Sequence, residues 1–458
     1  MPSTRAPEER EGALRFTPRG FTNVQELYYF ARALQNYADS SIELRRRFGD
    51  VIRRRRPRAG LWLMHPALLK RVFRTNVRNY PKAETYGFLA PILGNGLFLS
   101  DGELWTRQRR LLAPEFRQAE VNRFLPVILD RVERLLGEWA STAPTTPRDI
   151  TDDMMRLTLW IVGGAMFKSD LDEEAEMIGH DLEVCLRQST WHIFSGGLLQ
   201  PWMPTPGNFA ARRAAARLER VVRGVVARGR AGELGGDDVL SRLLVARDPE
   251  TGEGMADQQI VDEVKSLILA GHETTSLTLS WIFYLLARHP AVEQKLFEES
   301  SRVLGDGPPR AEHVPALAYT RMVFLEAMRL YPPVPGVPRR ALEDDRFHGV
   351  DVRAGDTVVA MIYAVHRHPD FWERPDEFRP ERFAPERVDA IEPYAYAPFL
   401  RGRRACVGEH FAMLEGVTAL AMLTRRFHLE RVEHAPIGTR AISTLRFARP
   451  LRMRVRPR

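Results

Sequence analysis

The chain has 458 residues, 44% of them hydrophobic, enough to bury a large core. Its two cysteines, Cys185 and Cys406, lie far apart, which excludes a disulfide framework and fits a reducing compartment. The formal net charge is +8, with arginine runs at 45–47 and 53–56. These runs adjoin Val51, Ile52, Leu61, Trp62 and Leu63, which read as a β-hairpin with a solvated polar face, so nucleic-acid binding is not expected. A basic surface instead suits an acidic electron-transfer protein.

Residues 1–20 are polar and charged, with no apolar run of signal-peptide or membrane-span length. They read as a disordered tail, and residues 21–458 as one domain of a cytoplasmic protein. Strand-like pieces follow at 51–55 and 61–64. Helical periodicity then covers 65–76, 101–112, 118–140, 151–167, 172–188, 208–230 and 237–246. Cys185 falls in 172–188 and reads as a small core residue. The pattern over 257–288 predicts a helix roughly 48 Å long at about 1.5 Å per residue, enough to cross a domain. Helices at 290–303, 314–331 and 406–426 and strands at 356–361, 427–432 and 445–455 complete the chain. Proline and glycine gather in the connections 201–207 and 332–338. The fold class is mainly α with small β-sheets.

Around the second cysteine the chain reads Phe399-Leu400-Arg401-Gly402-Arg403-Arg404-Ala405-Cys406-Val407-Gly408. A thiol is mostly protonated at neutral pH unless amides or cations hold it ionised. With a helix over 406–426, Cys406 sits at its N-terminus, where free N–H groups and the dipole favour negative charge. Gly402 and Gly408 permit tight turns or close approach to a large planar ligand. Phe399 can shield the sulfur, and Arg404 is placed to meet a haem propionate. The spacing Phe-x-x-Gly-x-Arg-x-Cys-x-Gly resembles the haem-binding loop of the cytochrome P450 family, whose cysteine thiolate ligates the iron. The resemblance runs from 45 to the end of the chain. It implies the P450 fold, haem b (iron protoporphyrin IX) as cofactor and Cys406 as the metal ligand.

Within 257–288 lies Ala270-Gly271-His272-Glu273-Thr274-Thr275. Glycine costs about 1 kcal/mol in a helix interior. Paired threonines bond back to earlier carbonyls and bend a helix, so a local opening able to hold water is expected. Glu273 and Thr274 form an acid–alcohol pair suited to bring dioxygen the two protons it needs before the O–O bond breaks. The segment resembles the oxygen-activation segment of P450s. That implies catalytic roles for Glu273 and Thr274, with Ala270 and Gly271 beside the haem. His272 is not expected as a second axial ligand, because positions two apart on a helix face different ways.

Glu326 and Arg329 stand three apart on one helix face. In P450s the same Glu-x-x-Arg is buried and joined by the arginine of a later Pro-Glu-Arg-Phe, here Arg382, which implies a structural triad. Trp105 and Arg109, four apart, suit a propionate with one indole and one guanidinium donor. They match a propionate-binding segment of the family, and Arg339 matches another such arginine.

The resemblance puts substrate contacts at Tyr86, Phe88, Leu89, Leu267, Ala270, Val334 and Val337, and a mobile lid at 190–208. These residues are mostly apolar, so a hydrophobic substrate is expected: a fatty acid, a terpenoid or steroid, or a polyketide-type molecule. The expected activity is monooxygenation, as hydroxylation or epoxidation with O2. Electrons are expected from a separate ferredoxin or flavodoxin and its reductase, since no flavin or iron–sulfur segment follows the cysteine loop. The chain is read as a monomer without a membrane span. A peroxide-driven peroxygenase or an isomerase on the same fold is the alternative, weakened because Glu273 and Thr274 are both present.

Overall fold

The computed structural model describes residues 23–54, 59–168, 175–195, 198–234, 236–305, 307, 309–441 and 443–458. The expected tail at 1–20, together with Arg55 and Arg56, lies outside the described residues. The longer helices are α1 (Asn23–Phe48), α2 (Gly102–Leu112), α3 (Leu125–Ser141), α4 (Ile150–Phe167), α5 (Ala175–Phe194) and α6 (Pro206–Arg230). They continue with α7 (Asp257–Leu286), α8 (Pro290–Leu304), α9 (Ala318–Leu330) and α10 (Glu409–Arg426). The first strands are β1 (Val51–Arg54), β2 (Gly60–Leu63), β3 (Pro147–Asp149), β4 (Val337–Arg340), β5 (Asp345–Phe347) and β6 (Val350–Val352). The remaining strands are β7 (Thr357–Ala360), β8 (Phe427–Arg431), β9 (Thr439–Ala441), β10 (Leu445–Phe447) and β11 (Arg452–Pro457).

Several elements depart from the sequence pattern. The periodicity over 118–140 is interrupted, and α3 starts only at Leu125, with Pro126 in its first turn, where a missing N–H costs nothing. Helix α5 runs on to Phe194, past the expected stop at 188 and into the predicted lid connection. Helix α1 falls where the sequence pattern gives no element, because a break interrupts its periodicity. It is broken at Asn36 (φ −158°, ψ 95°), whose side-chain oxygen accepts from the amides of Ala38 (3.1 Å) and Asp39 (3.3 Å) and so caps the second half.

The chain divides into two compact units, each assembled from distant segments. The first comprises residues up to 84, 334–377 and 385–405. Its sheet has the order β1-β2-β7-β4, with β2 parallel to β7 and the other pairs antiparallel. Leu61, Leu63, Val337, Val358 and Ala360 from that sheet pack with Leu68, Val72, Phe73 and Tyr80 in one core. Described members of the basic runs make contacts inside this unit. Arg53 pairs with Asp356 at 3.2 Å, Arg46 with Asp376 at 3.5 Å, and Arg54 lies over Trp62.

The second unit comprises residues 85–333, 378–384 and 406–458. Helix α7 is its axis and packs against α4, α6, α9 and α10. Helix α4 is buried continuously from Leu157 to Phe167 and is mostly apolar there, whereas α7 also encloses polar groups, Asp262, Glu263, Lys265, His272 and Glu273 among them. Trp281 of α7 is sandwiched between Tyr331 (3.9 Å between centroids) and Phe447 (3.7 Å). Its indole N–H donates to the Leu445 carbonyl at 3.0 Å. The β9–β10 hairpin is thereby pinned to α7. No helix among the described residues is long and apolar enough to cross a membrane.

Candidate active site

The cysteine loop approaches its end within the first unit. Leu400 and Gly402 both take positive φ, 57° and 78°. A Cβ on Gly402 would run into the Phe73 carbonyl, so this turn requires glycine. Phe399 and Arg404 are half-buried. In β4 of the same unit, Arg339 is buried, with its guanidinium 5.3 Å from the Phe73 ring centroid. Its neighbour Arg340 is exposed and paired with Glu84. Of the two adjacent arginines, Arg339 is therefore the one built into the interior.

In the second unit, Cys406 is a free cysteine with an exposed side. Helix α10 begins at Glu409 with Gly408 as its N-cap, so the sulfur lies just ahead of the helix instead of in its first turn. Protein crowds the remaining sides of the thiol, and this burial pushes its pKa up. The Gly408 amide and the Arg109 charge pull it down, while Glu409 pushes it up. Arg109 sits on α2, whose N-terminus is capped by Asp101 accepting from the Gly102 amide at 2.8 Å. Burial lowers the Arg109 pKa, and Cys406 opposes that shift. Trp105 lies one turn earlier and is buried. A thiol with one open side, an amide and a guanidinium is a donor set that fits an anionic sulfur ligand to haem iron.

The open face of α7 is narrow. Between Ile260 and Leu286 every residue is buried except Leu267, Ala270, Gly271 and Thr274. They follow the i, i+3, i+4, i+7 spacing of one helix face, so α7 presents a single accessible strip. The helix does not open there. Thr274 Oγ1 donates to the Ala270 carbonyl at 2.7 Å, and helical geometry continues to Leu286. The expected local opening is thus absent: the threonine back-bond forms, yet the helix runs on through it without a break. Gly271 has a packing reason: a Cβ there would stand 2.9 Å from Val162 of α4.

The acid partner Glu273 is buried. Its Oε1 accepts from Thr444 Oγ1 at 2.6 Å, from Arg446 Nε at 3.0 Å and from Arg446 Nη2 at 2.6 Å. Burial works against the Arg446 charge, but Glu273 outweighs it and holds the arginine's pKa above its usual value. Arg446 Nη1 also lies 3.8 Å from Glu183 Oε1 on α5. His272 is buried away from the strip, and neither ring nitrogen has a hydrogen-bond partner among the described residues. Burial pushes its pKa down to about 4. Thr444, Arg446 and Glu183 escaped the sequence reading, since a contact across 173 residues leaves no local pattern.

Glu326 and Arg329 of α9 are completely buried, with Arg329 Nε 2.7 Å from Oε2 and Nη2 2.8 Å from Oε1. Arg382 Nε adds a contact to Oε1 at 3.3 Å, and the Arg379 amide donates to it at 2.9 Å. On α10, Glu415 is enclosed beside Thr275, and burial pushes its pKa well up.

The expected substrate residues separate. Phe88 lines a cavity of about 590 Å³ together with Ile92, Ser189, His192, Trp202 and Asn208. Leu89 is buried, and Tyr86 meets Phe98 edge to face at 5.9 Å. Leu267 and Ala270 belong to the strip on α7 and do not line that cavity. Val337 is a core residue of the first unit, and Val334 packs against that core.

The sequence profile described as Cytochrome P450 matches residues 18–449. Cyclooctatin synthase of Streptomyces melanosporofaciens is 35% identical over 90% of this chain and 89% of its own length. The cyclooctat-9-en-7-ol 5-monooxygenase of the same organism is 32% identical, over 84% of this chain and 83% of its own. Pentalenene oxygenase of Streptomyces avermitilis is 30% identical, over 90% and 91%. The crystal structure of the cytochrome P450DA haem domain superposes with a TM-score of 0.86 at 28% identity, covering 98% of this chain and 99% of that one. With a thiol open on one side and an accessible strip on its central helix, the chain belongs to the cytochrome P450 family and is a haem monooxygenase.

Proposed function

We propose that the chain hydroxylates or epoxidises a terpenoid hydrocarbon or terpenoid alcohol, using O2 and electrons from a separate ferredoxin or flavodoxin. The terpenoid reading rests on the names of the relatives above. The observation that carries the catalytic reading is the strip of Leu267, Ala270, Gly271 and Thr274 on an otherwise buried helix. It offers apolar contact and one hydroxyl, the lining expected for a hydrophobic substrate held by shape.

The cofactor proposed is haem b, which when bound supplies the activation of dioxygen. Cys406 would supply its sulfur ligand. The Gly408 amide and Arg109 favour the anionic form of that sulfur. Trp105 and Arg109 are assigned to a propionate, and Arg339, Arg404 and Phe399 to the same cofactor from the sequence motif alone. A hydroxyl has one donor and two acceptor sites. Thr274 spends its donor on the Ala270 carbonyl, so it turns an acceptor oxygen to the strip. That oxygen can take a hydrogen bond from an incoming water and position its proton. Retention of both Thr274 and Glu273 favours O2-dependent turnover over the peroxide-driven alternative.

The test is spectroscopic. The reduced protein with carbon monoxide should show the red-shifted band of thiolate-ligated haem, and Cys406→Ser should lose it. Polycyclic terpene alcohols should shift the haem from low to high spin. A shift produced by straight-chain fatty acids alone would refute the substrate class.

A further inference from the structure

We propose that Arg446 is a positioning residue that holds Glu273, and that Glu183 on α5 is the counter-charge that lets Glu273 take up a proton. The inference rests on the reading that Glu273 and Thr274 move protons.

The geometry is asymmetric. All three hydrogen bonds to Glu273 fall on Oε1, while Oε2 accepts from no described residue. Oε2 is therefore the oxygen left for proton exchange. Arg446 cannot carry that proton, because a guanidinium stays charged at any pH the protein meets. It acts only through where its charge lies. The hairpin that bears it is pinned to α7 by the Trp281 stack and by the indole bond to Leu445, so its backbone is fixed over Glu273.

Charge balance then requires a second acid. When a proton from solvent binds Oε2, Glu273 becomes neutral, and Arg446, only 16% exposed, loses its partner. An enclosed charge without a partner is strongly unfavourable. Glu183 is the other carboxylate acting on Arg446, and it is 54% exposed, so it can follow the guanidinium. Its present contact, 3.8 Å against 2.6 Å to Glu273, shows Glu273 winning while ionised. When the proton passes on from Glu273 to a water bonded to Thr274, the carboxylate is restored and recovers Arg446. Two other titratable groups adjoin the trio. His272 neighbours Glu273 and is kept neutral by burial, and Asp152 of α4 feels Glu183. Since α5 carries Glu183, the position of that helix tunes the exchange.

The test uses the holoenzyme with a surrogate ferredoxin and reductase, and a terpene alcohol that shifts the spin state. Glu183→Gln should lower kcat several-fold and enlarge the solvent deuterium isotope effect, with the spectral Kd for substrate unchanged. Glu183→Asp should restore part of the rate, and Glu183→Gln should cost nothing further in a Glu273→Gln background. Amide hydrogen exchange at 444–447 should slow in Glu183→Gln, because Arg446 then has one partner only. Wild-type kcat and isotope effect in Glu183→Gln, or losses that add with Glu273→Gln, would overturn the proposal. Wild-type coupling in Glu273→Gln itself would instead overturn the relay reading on which it rests.

Discussion

Replacing Glu326 with Gln keeps the side chain's shape and removes its charge. In the native chain that carboxylate receives Arg329 at 2.7 and 2.8 Å, Arg382 at 3.3 Å and the Arg379 amide at 2.9 Å. Arg329 has no exposed surface at all, so its charge cannot turn to water. Removing one partner of a buried pair costs about 3–5 kcal/mol. Set against a typical total of about 5–15 kcal/mol, the loss takes about a fifth of the stability or more. At a urea slope of about 3 kcal/mol/M the midpoint should fall by about 1 M or more. Wild type and variant are compared at equal haem and protein concentration, since a bound cofactor shifts apparent stability by mass action. The exposed pair Arg340–Glu84 is the control, and Glu84→Gln should cost less than about 1 kcal/mol. A Glu326→Gln midpoint as close to wild type as that of Glu84→Gln would refute the argument that this pairing is a buried, indispensable one.

Four further outcomes are expected. Thr274→Ala should divert electrons to hydrogen peroxide, read as product formed per NADPH consumed. Gly271→Ala should destabilise by about 1–3 kcal/mol through overpacking against Val162, and Val162→Ala should rescue it in urea melts. His272 ionises at about 4 in the folded chain against 6.5 unfolded, so the unfolded chain binds more protons between those values. Stability should therefore fall as pH drops from 6.5 towards 4, by up to about 1.4 kcal/mol per pH unit, and His272→Leu should flatten that slope. Glu415 is displaced the other way, its folded pKa lying above the unfolded one, so it costs stability as pH rises above the ordinary carboxylate range. Glu415→Gln should raise the urea midpoint at pH 8.

Much of the second unit could be read from periodicity. Helices α4 and α7 had clear ends, within two residues of where the pattern put them. The short spacings Cys406 to Gly408, Glu326 to Arg329 and Trp105 to Arg109 could be read because each lies within one turn or one loop. Where the signal was not local, reading failed. The break at Asn36 interrupts the periodicity of α1, and Pro338 disguised strand β4 as part of a turn. The surroundings of the proposed acid–alcohol pair were legible only in part. Glu273 and Thr274 were visible as neighbours in sequence, but the arginine holding Glu273 comes from the far end of the chain. The expected opening in α7 did not form, because a threonine can bond back to the carbonyl four residues earlier without breaking the helical ladder.

The strip on α7 also sets how the enzyme can be retuned. Three of its four residues are small, so the free space beside the helix is fixed by what those side chains lack. Gly271 cannot grow without striking Val162, and Thr274 is tied to the Ala270 carbonyl. On the proposal that substrate lies against this strip, Leu267 and Ala270 remain as a two-position dial for substrate bulk. Each methylene added at Ala270 shortens the room on that side, and each removed from Leu267 lengthens it one turn away. Changes of molecular size and shape in the substrate should therefore trace to these two positions before any other on this helix.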